Sequence, residues 1–225
     1  MEINRLYRRN IPVYIRQFMY RLRNMNFSGS EDIIDQSYKV FQQKGLMFIH
    51  IPKSAGVSVY GAIYNIDSLG HIPLFEYEKR FCLSGLYKFT FVRSPVQRLI
   101  SAYNYLKLGG RQANIDLKYQ KILKPCNSLN EFVDSWLAKE EIMKMEHFKS
   151  QSSYLKNSKG EIDMDFIGKY EKLEKDIARL VDLTGVDIKK IQLVNDTKYF
   201  DSDFDKSLIS KIQEYYAEDY TNFNY

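Results

Sequence analysis

The sequence contains few of the residues that build disulfide scaffolds or metal clusters. It has 2 cysteines, Cys82 and Cys126, which lie far apart and in no metal-ligand spacing. This pattern argues against a disulfide framework or a zinc site and favours a reducing compartment. The 3 histidines, His50, His71 and His147, are too scattered along the chain to predict a metal cluster. We therefore expect no bound metal.

Long hydrophobic runs are also missing. No apolar stretch approaches the roughly 18 residues that a membrane-spanning helix needs. Arginines interrupt the N-terminal segment, which consequently lacks the apolar centre of a signal peptide. We expect a cytoplasmic protein.

The excess of positive charge is confined to the N-terminal segment. Residues 1–28 contain one glutamate and six arginines, which account for the whole net charge of +5. The rest of the chain is electrically balanced, which argues against a nucleic-acid-binding body. We predict a basic helical arm over residues 1–30 and a single domain over residues 31–225. The arm is either a solvated helix packed on the body or a segment that contacts anionic lipid or a partner.

Short apolar runs alternate with helical patterns, which predicts an α/β fold with a mainly parallel sheet flanked by helices. The predicted strands are residues 46–51, 87–92 and 165–170. The predicted helices are residues 3–24, 32–43, 56–64, 76–81, 95–108, 129–138, 171–183 and 204–223. Ser94 is the expected N-cap of the helix that begins at Pro95, and Gln97 is its expected capping-box partner.

The stretch FIHIPKSAGVSVY, residues 48–60, has the composition of an anion-binding loop between a strand and a helix. Small residues let the loop backbone approach a ligand closely. The start of the helix offers unpaired N–H groups and a positive dipole end, and Lys53 adds a full charge. The motif predicts a phosphate or sulfate site. The alternative is a plain strand–turn–helix corner with a solvated lysine.

A second candidate anion element follows the next predicted strand. Arg93 ends the run FTFVR just before a helix, which places it at the same edge of a parallel sheet as Lys53. Ser101 lies on that helix, where a hydroxyl and a guanidinium could bind a second phosphate. We expect Arg98, on the same helix, to pair with a neighbouring acid instead.

The two elements, HIPKSAGVS and FVRSPVQRLISAY, resemble the nucleotide-binding signatures of sulfotransferases that use 3′-phosphoadenosine 5′-phosphosulfate (PAPS). The resemblance is to the carbohydrate branch, which includes heparan sulfate 2-O-sulfotransferase and chondroitin sulfotransferases. Gly70-His71, IGKYEKLE at residues 167–174 and the terminal YAEDYTNFNY are similar as well. The resemblance covers roughly residues 45–225 and implies a P-loop-kinase-like sulfotransferase fold.

The resemblance also implies roles for individual residues in donor binding. The residues that would hold the 5′-phosphosulfate are Lys53, Ser54, Ala55, Gly56, Val57 and Ser58. Arg93 and Ser101 would bind the 3′-phosphate, and Tyr170 would lie near the adenine. Val57 stands where the family often has Thr, so one hydroxyl contact to the 5′ side is missing.

The implied reaction is an in-line transfer of the sulfuryl group from PAPS to a hydroxyl, catalysed mainly by positioning and charge stabilisation. Lys53 would neutralise charge on the departing phosphate. His71 is the expected general base, because an unperturbed imidazole titrates near neutrality. His147 and Gln151 would orient the acceptor, and His50 is expected to be a core or supporting residue.

The resemblance favours a carbohydrate acceptor, either an oligo- or polysaccharide or a glycolipid. Two alternatives stay open: a nucleotide kinase-like phosphotransferase, and an inactive binding protein that kept the PAPS fold. A kinase would need G-x-x-x-x-G-K-[ST], whereas Lys53 here precedes Gly56. We expect no nucleic-acid partner, and peripheral membrane contact only through residues 1–28.

Overall fold

The computed structural model describes residues 32–188 and 205–225. Within these residues, three parallel strands form one sheet in the order β1-β2-β3. The strands are β1 (Leu46–Phe48), β2 (Tyr87–Val92) and β3 (Phe166–Lys169). In the central strand, Phe89 pairs with Phe48 on one side and with Phe166 on the other. The carboxyl ends of all three strands therefore meet at one edge of the sheet, and the predicted parallel α/β fold is confirmed.

Helices connect and flank these strands. The α-helices are α1 (Ile33–Lys44), α2 (Gly56–Val59), α3 (Leu74–Glu78), α4 (Pro95–Lys107), α5 (Asn114–Leu123), α6 (Leu129–Glu131), α7 (Glu140–Met143), α8 (Ser152–Leu155), α9 (Leu173–Thr184), α10 (Ile209–Tyr215) and α11 (Ala217–Phe223). In the described part of the chain, π-helical turns at Tyr60–Tyr64 and Phe132–Trp136 continue α2 and α6. The 3₁₀ turns in these ranges are Glu146–Phe148, Tyr170–Lys172 and Lys206–Leu208.

Two apolar clusters make up the core of the described residues. The first surrounds the sheet, where the rings of Phe48 and Phe89 stack at 5.1 Å between centroids. The second lies beneath α4, where Phe132 packs against both Tyr103 and Phe148. Burial of these rings removes large apolar areas from water, so the two clusters hold the sheet edge and α4 in place.

The capping hydrogen bonds at the start of α4 differ from the prediction. Ser94 precedes the helix as expected, but its side chain makes no capping hydrogen bond. The backbone N–H of Ser94 instead donates to Oε1 of Glu171, at 2.7 Å. The predicted capping box with Gln97 is wrong, because a carboxylate that follows β3 already accepts from the donor that Gln97 would satisfy. This bond ties the start of α4 to the end of β3.

The last predicted helix, residues 204–223, is broken into shorter pieces. The interruption falls at Tyr216, whose φ of −108° and ψ of 29° lie between α10 and α11. The Tyr216 ring is buried, and its hydroxyl donates to the carbonyl of Phe148 at 2.8 Å. The break allows the buried ring to reach the 3₁₀ turn, and α11 can then run along α8.

Some predicted segments lie outside the described residues. These are the basic arm of residues 1–30, its helix 3–24 and most of the polar loop near residue 200. Within the described ranges, no helix is long and apolar enough to cross a bilayer. Cys82 and Cys126 are both free thiols.

We predict that a buried carboxylate of α11 stabilises the fold. Asp219 is fully buried and accepts from the N–H of Gln151, the N–H of Ser152 and the Ser152 hydroxyl, each at 2.8 Å. Asp219→Ala should lower the free energy of unfolding by about 2–4 kcal/mol, because it leaves buried donors without acceptors. Urea denaturation followed by circular dichroism measures the change.

The matched control is the neighbouring acid Glu218, which pairs with Lys156 at the surface. Glu218→Ala should change the free energy of unfolding by only about 0–1 kcal/mol. Equal losses from the two substitutions would contradict the structural role of Asp219.

Candidate functional site: an anion-binding edge with a histidine cluster

The loop after β1 adopts a backbone that non-glycine residues rarely use. Lys53 and Ala55 have φ values of 67° and 66°, in the left-handed region. Such conformations are costly and tend to occur at functional sites. Gly56 packs against His50 so closely that a Cβ atom would lie 1.7 Å from Nε2 of His50. The loop therefore requires glycine here and presents the start of α2 to the sheet edge.

Arg93 links the three strand ends. It follows β2, and its Nη1 donates to the carbonyl of Lys53 in the loop after β1 at 3.3 Å. Its guanidinium also stacks over the ring of Tyr170, which follows β3, at 4.1 Å from the centroid. Ser101 lies on α4 and is 6% exposed. The structure thus brings Lys53, Arg93 and Tyr170 together.

The side-chain amide of Gln151 holds the Arg93 segment in register with the loop. Its Oε1 accepts from the N–H of Arg93 at 2.9 Å, and its Nε2 donates to the carbonyl of Arg93 at 2.8 Å. The Ser54 hydroxyl also reaches Oε1, at 3.5 Å. Gln151 is fully buried. Its amide is therefore used within the protein, between the ends of β1 and β2, which differs from the predicted contact of Gln151 with the acceptor.

Lys53 carries its charge in a poorly solvated position. Its Nζ lies 4.0 Å from the centroid of the Tyr105 ring. Burial, together with repulsion from Arg93 and Arg111, lowers the pKa of Lys53 to about 8, and attraction to Asp116 opposes this only in part. A cation made less stable by burial and by other cations gains most when an anion approaches.

Arg111 is held beside this lysine by a turn that sequence reasoning missed. Oδ2 of Asp116 accepts from the N–H of Arg111 at 2.8 Å and from the Tyr105 hydroxyl at 3.0 Å. Gly110 has a φ of 56°, and a Cβ there would lie 2.5 Å from Oδ2 of Asp116. The Gly109-Gly110 pair, directly after the predicted helix 95–108, is the sequence signal that could have indicated this tight turn.

The three histidines lie together, contrary to the expectation from their spacing. The ring centroids of His50 and His71 are 4.2 Å apart, and those of His71 and His147 are 5.8 Å apart. His50 follows β1, His71 follows the turn at Gly70, and His147 belongs to the 3₁₀ turn before α8. Sequence spacing did not reveal this cluster, because segments that are distant along the chain can meet in a parallel fold.

His71 has the tautomer that a proton acceptor needs. Its Nδ1 lies 3.3 Å from the carbonyl of His50, which can only accept, so Nδ1 carries the hydrogen. The lone pair is then on Nε2. Burial lowers the pKa of His71 to about 4, with smaller contributions from Arg111 and Lys53. The imidazole is therefore neutral at neutral pH.

His50 contacts the turn that carries His71. Its Nδ1 contacts the Ser68 hydroxyl at 2.8 Å and the carbonyl of Gly70 at 3.1 Å. Burial, together with the nearby His71, holds the pKa of His50 well below its usual range. His50 thereby fixes the Gly70 turn that carries His71, which agrees with the supporting role expected for it.

We expected Arg98 to pair with a neighbouring acid, but among the described residues it forms no such ion pair. It is fully buried, and its guanidinium donates to the carbonyls of His147 and Lys149. The position of Arg98 on its helix could not reveal these acceptors, because they are backbone carbonyls of a distant segment. Arg98 therefore holds the Glu146–Phe148 turn against α4, and His147 reaches the cluster from there.

The other predicted residues surround the same edge. Ser54 and Ser58 are buried, whereas Val57 is partly exposed on α2. Sequence reasoning missed Glu146, whose carboxylate Oε1 lies 3.8 Å from Nδ1 of His147. Burial and the nearby Asp116 raise the pKa of Glu146. The only hint in the sequence was that Glu146 directly precedes His147, a candidate site residue.

Comparison with known proteins identifies the family of this chain through a family model. No curated protein and no solved structure matches the chain. The model of the sulfotransferase family, however, matches residues 36–225. This range begins within α1, includes both candidate anion elements and the histidine cluster, and extends to the last residue. A small parallel sheet flanked by helices is consistent with the P-loop-like fold of that family. The chain therefore belongs to the sulfotransferase family.

Proposed function

We propose that this sulfotransferase moves the sulfuryl group of PAPS to a hydroxyl of a carbohydrate acceptor, with His71 as the general base. Sulfotransferases of this family generally use PAPS as their donor. The observation that carries the proposal is the convergence of Lys53, Arg93 and His71 at the carboxyl edge of one parallel sheet. Ligands of open α/β sheets bind at this edge.

The charge distribution supports a donor with several anionic groups. Lys53, Arg93 and Arg111 lie close enough to one another to lower the pKa of Lys53, and Asp116 opposes them only in part. We assign the 5′-phosphosulfate to the loop at residues 53–58. The 3′-phosphate is assigned to Arg93 and Ser101, and the adenine to the neighbourhood of Tyr170. A guanidinium is well suited to this task because it can bind a phosphate through two parallel hydrogen bonds.

His71 and Lys53 would act on opposite sides of the transferring group. The acceptor oxygen bonds to sulfur while the bond from sulfur to the bridging phosphate oxygen breaks. The hydroxyl proton passes to Nε2 of His71, whose other nitrogen is held by the carbonyl of His50. Lys53 stabilises the negative charge that develops on the departing phosphate. Both residues are pre-positioned, so little reorganisation accompanies the transfer.

Aromatic rings beside the histidines support a sugar acceptor. Tyr105 stacks on His147 with centroids 5.3 Å apart, and Tyr119 approaches the same ring at 6.3 Å. The Tyr105 ring already contacts Lys53 and His147, whereas Tyr119 is only partly buried and combines an apolar face with a polar edge, which suits the face and hydroxyls of a sugar. We assign His147 to acceptor orientation. Gln151 acts in this scheme as a positioning residue, through the Arg93 backbone.

We predict that Arg93 binds the 3′-phosphate and so favours nucleotides that carry one. Arg93→Ala should weaken binding of adenosine 3′,5′-bisphosphate by about 1.5–3 kcal/mol, because a charge-assisted contact is lost. Binding of adenosine 5′-phosphate, which has no 3′ group, should weaken less, through the lost Arg93 contacts to Lys53 and Tyr170 alone. Isothermal titration calorimetry with both nucleotides measures the difference.

The control for this test is Arg80→Ala, which removes an arginine that pairs with Asp32 at the surface. This variant should bind both nucleotides as the unmodified protein does. An equal loss of affinity for the two nucleotides in Arg93→Ala would contradict the assignment of Arg93 to the 3′-phosphate.

We predict that His71 controls turnover and not donor binding. His71→Ala should lower kcat by about 10²–10⁴-fold, the usual range when acid–base assistance is lost. The affinity for adenosine 3′,5′-bisphosphate should stay within about twofold and thereby report an intact fold. Transfer of labelled sulfate from PAPS to a carbohydrate acceptor measures the rate. Near-normal turnover in His71→Ala, with His147→Ala inactive, would show that the base has been misassigned.

A further inference from the structure

The histidine cluster has a feature that sulfuryl transfer does not use. His71, Glu146 and His147 each offer one ligand atom, and these three atoms all lie within 4.8 Å of one another. Two separate segments supply them: the turn after Gly70 and the 3₁₀ turn before α8. Two imidazoles and one carboxylate form a common ligand set for first-row divalent metals.

Nδ1 of His147 is a buried polar atom that needs a partner. His147 is 4% exposed, and within the described part of the chain its Nδ1 has no hydrogen-bond partner. Oε1 of Glu146 lies 3.8 Å from it, beyond hydrogen-bond distance. Buried polar atoms are almost always satisfied, so an unpartnered nitrogen beside a carboxylate is a candidate metal ligand.

His71 already has the surroundings typical of a metal-bound histidine. Its Nδ1 is held by the backbone carbonyl of His50, which leaves the lone pair of Nε2 available. Metal-ligating histidines commonly donate their second N–H to a carbonyl or carboxylate, which fixes the tautomer and the ring orientation. Glu146 is only partly buried, so its carboxylate can rotate and bring the set closer to tetrahedral spacing.

We propose that His71, Glu146 and His147 bind a divalent zinc ion, and that this ion reversibly inhibits the enzyme. Zinc takes imidazole and carboxylate ligands in a tetrahedral arrangement, and water can supply the fourth position. The cations Lys53 and Arg98 lie near His147 and oppose binding, so the site suits exchangeable zinc better than a permanent structural ion. The inhibitory part rests on the proposed function, since a metal-bound His71 cannot accept the acceptor proton.

Direct metal binding tests the site without reference to activity. Metal-free protein is titrated with Co²⁺, a spectroscopic substitute for zinc, and then with Zn²⁺ in competition. We expect one equivalent to bind with the visible absorption of a low-coordinate nitrogen–oxygen site. Glu146→Gln and His147→Ala should each weaken binding at least tenfold. The absence of Co²⁺ or Zn²⁺ binding by the unmodified protein would overturn the proposal.

Two controls keep this test decisive. Glu140→Gln makes the same acid-to-amide change at an exposed residue that pairs with Lys144, and it should bind metal as the unmodified protein does. Binding of adenosine 3′,5′-bisphosphate to each variant reports whether it is folded. Undiminished metal binding by a folded Glu146→Gln together with a folded His147→Ala would place the metal elsewhere and overturn the proposal.

An activity measurement separates the metal site from the assignment of the base. Zn²⁺ should lower turnover of the unmodified protein at concentrations that fill the site, while affinity for adenosine 3′,5′-bisphosphate stays within about twofold. Glu146→Gln should need at least tenfold more Zn²⁺ for the same inhibition. If zinc fills the cluster and turnover is unaffected, the inhibitory role fails and His71 is not the base. If zinc does not bind, the metal proposal fails and the His71→Ala experiment still tests the proposed function.

Discussion

The side-chain amide of Gln151 is the interaction on which the candidate site depends. By bonding to both the N–H and the carbonyl of Arg93, it fixes the residue that follows β2. Arg93 in turn reaches the carbonyl of Lys53 and the ring of Tyr170, so one buried amide sets the relative positions of all three strand ends. The backbone of Gln151 is itself held by Asp219 of α11. Helix α11 is therefore coupled to the candidate site through two consecutive sets of buried hydrogen bonds.

Burial of like charges gives this edge its chemical character. Lys53 lies near Arg93 and Arg111 without a full complement of acids, which lowers its pKa and makes anion binding favourable. The same burial keeps His71 neutral, because a charged imidazole would be poorly solvated and close to cations. One environment thus keeps the His71 imidazole neutral and the cations poorly solvated. The transfer proposed above would use both, since negative charge would develop on the departing phosphate while a proton leaves the acceptor.

The sequence predicted the parts of the site that depend on local pattern. Apolar runs rich in strand-forming residues located β2 and β3 to within a residue or two, and the small residues at 53–58 identified the loop after β1. Contacts between distant segments could not be predicted in this way. The meeting of His71 with Glu146 and His147 follows from the parallel topology, and the burial of Arg98 against two backbone carbonyls leaves no mark in residue spacing. The break at Tyr216 was missed because its cause, a hydrogen bond to Phe148, is also nonlocal.

A comparison of two nucleotides tests the central claim, that this edge binds a donor with a 3′-phosphate. Isothermal titration calorimetry of the unmodified protein would be performed with adenosine 3′,5′-bisphosphate and, separately, with ATP and Mg²⁺. With the 3′-phosphate assigned to Arg93 and Ser101, apart from the loop at Lys53, we expect the bisphosphate to bind at least tenfold more tightly than ATP. Tighter binding of Mg²⁺-ATP, or no heat from the bisphosphate, would contradict the account.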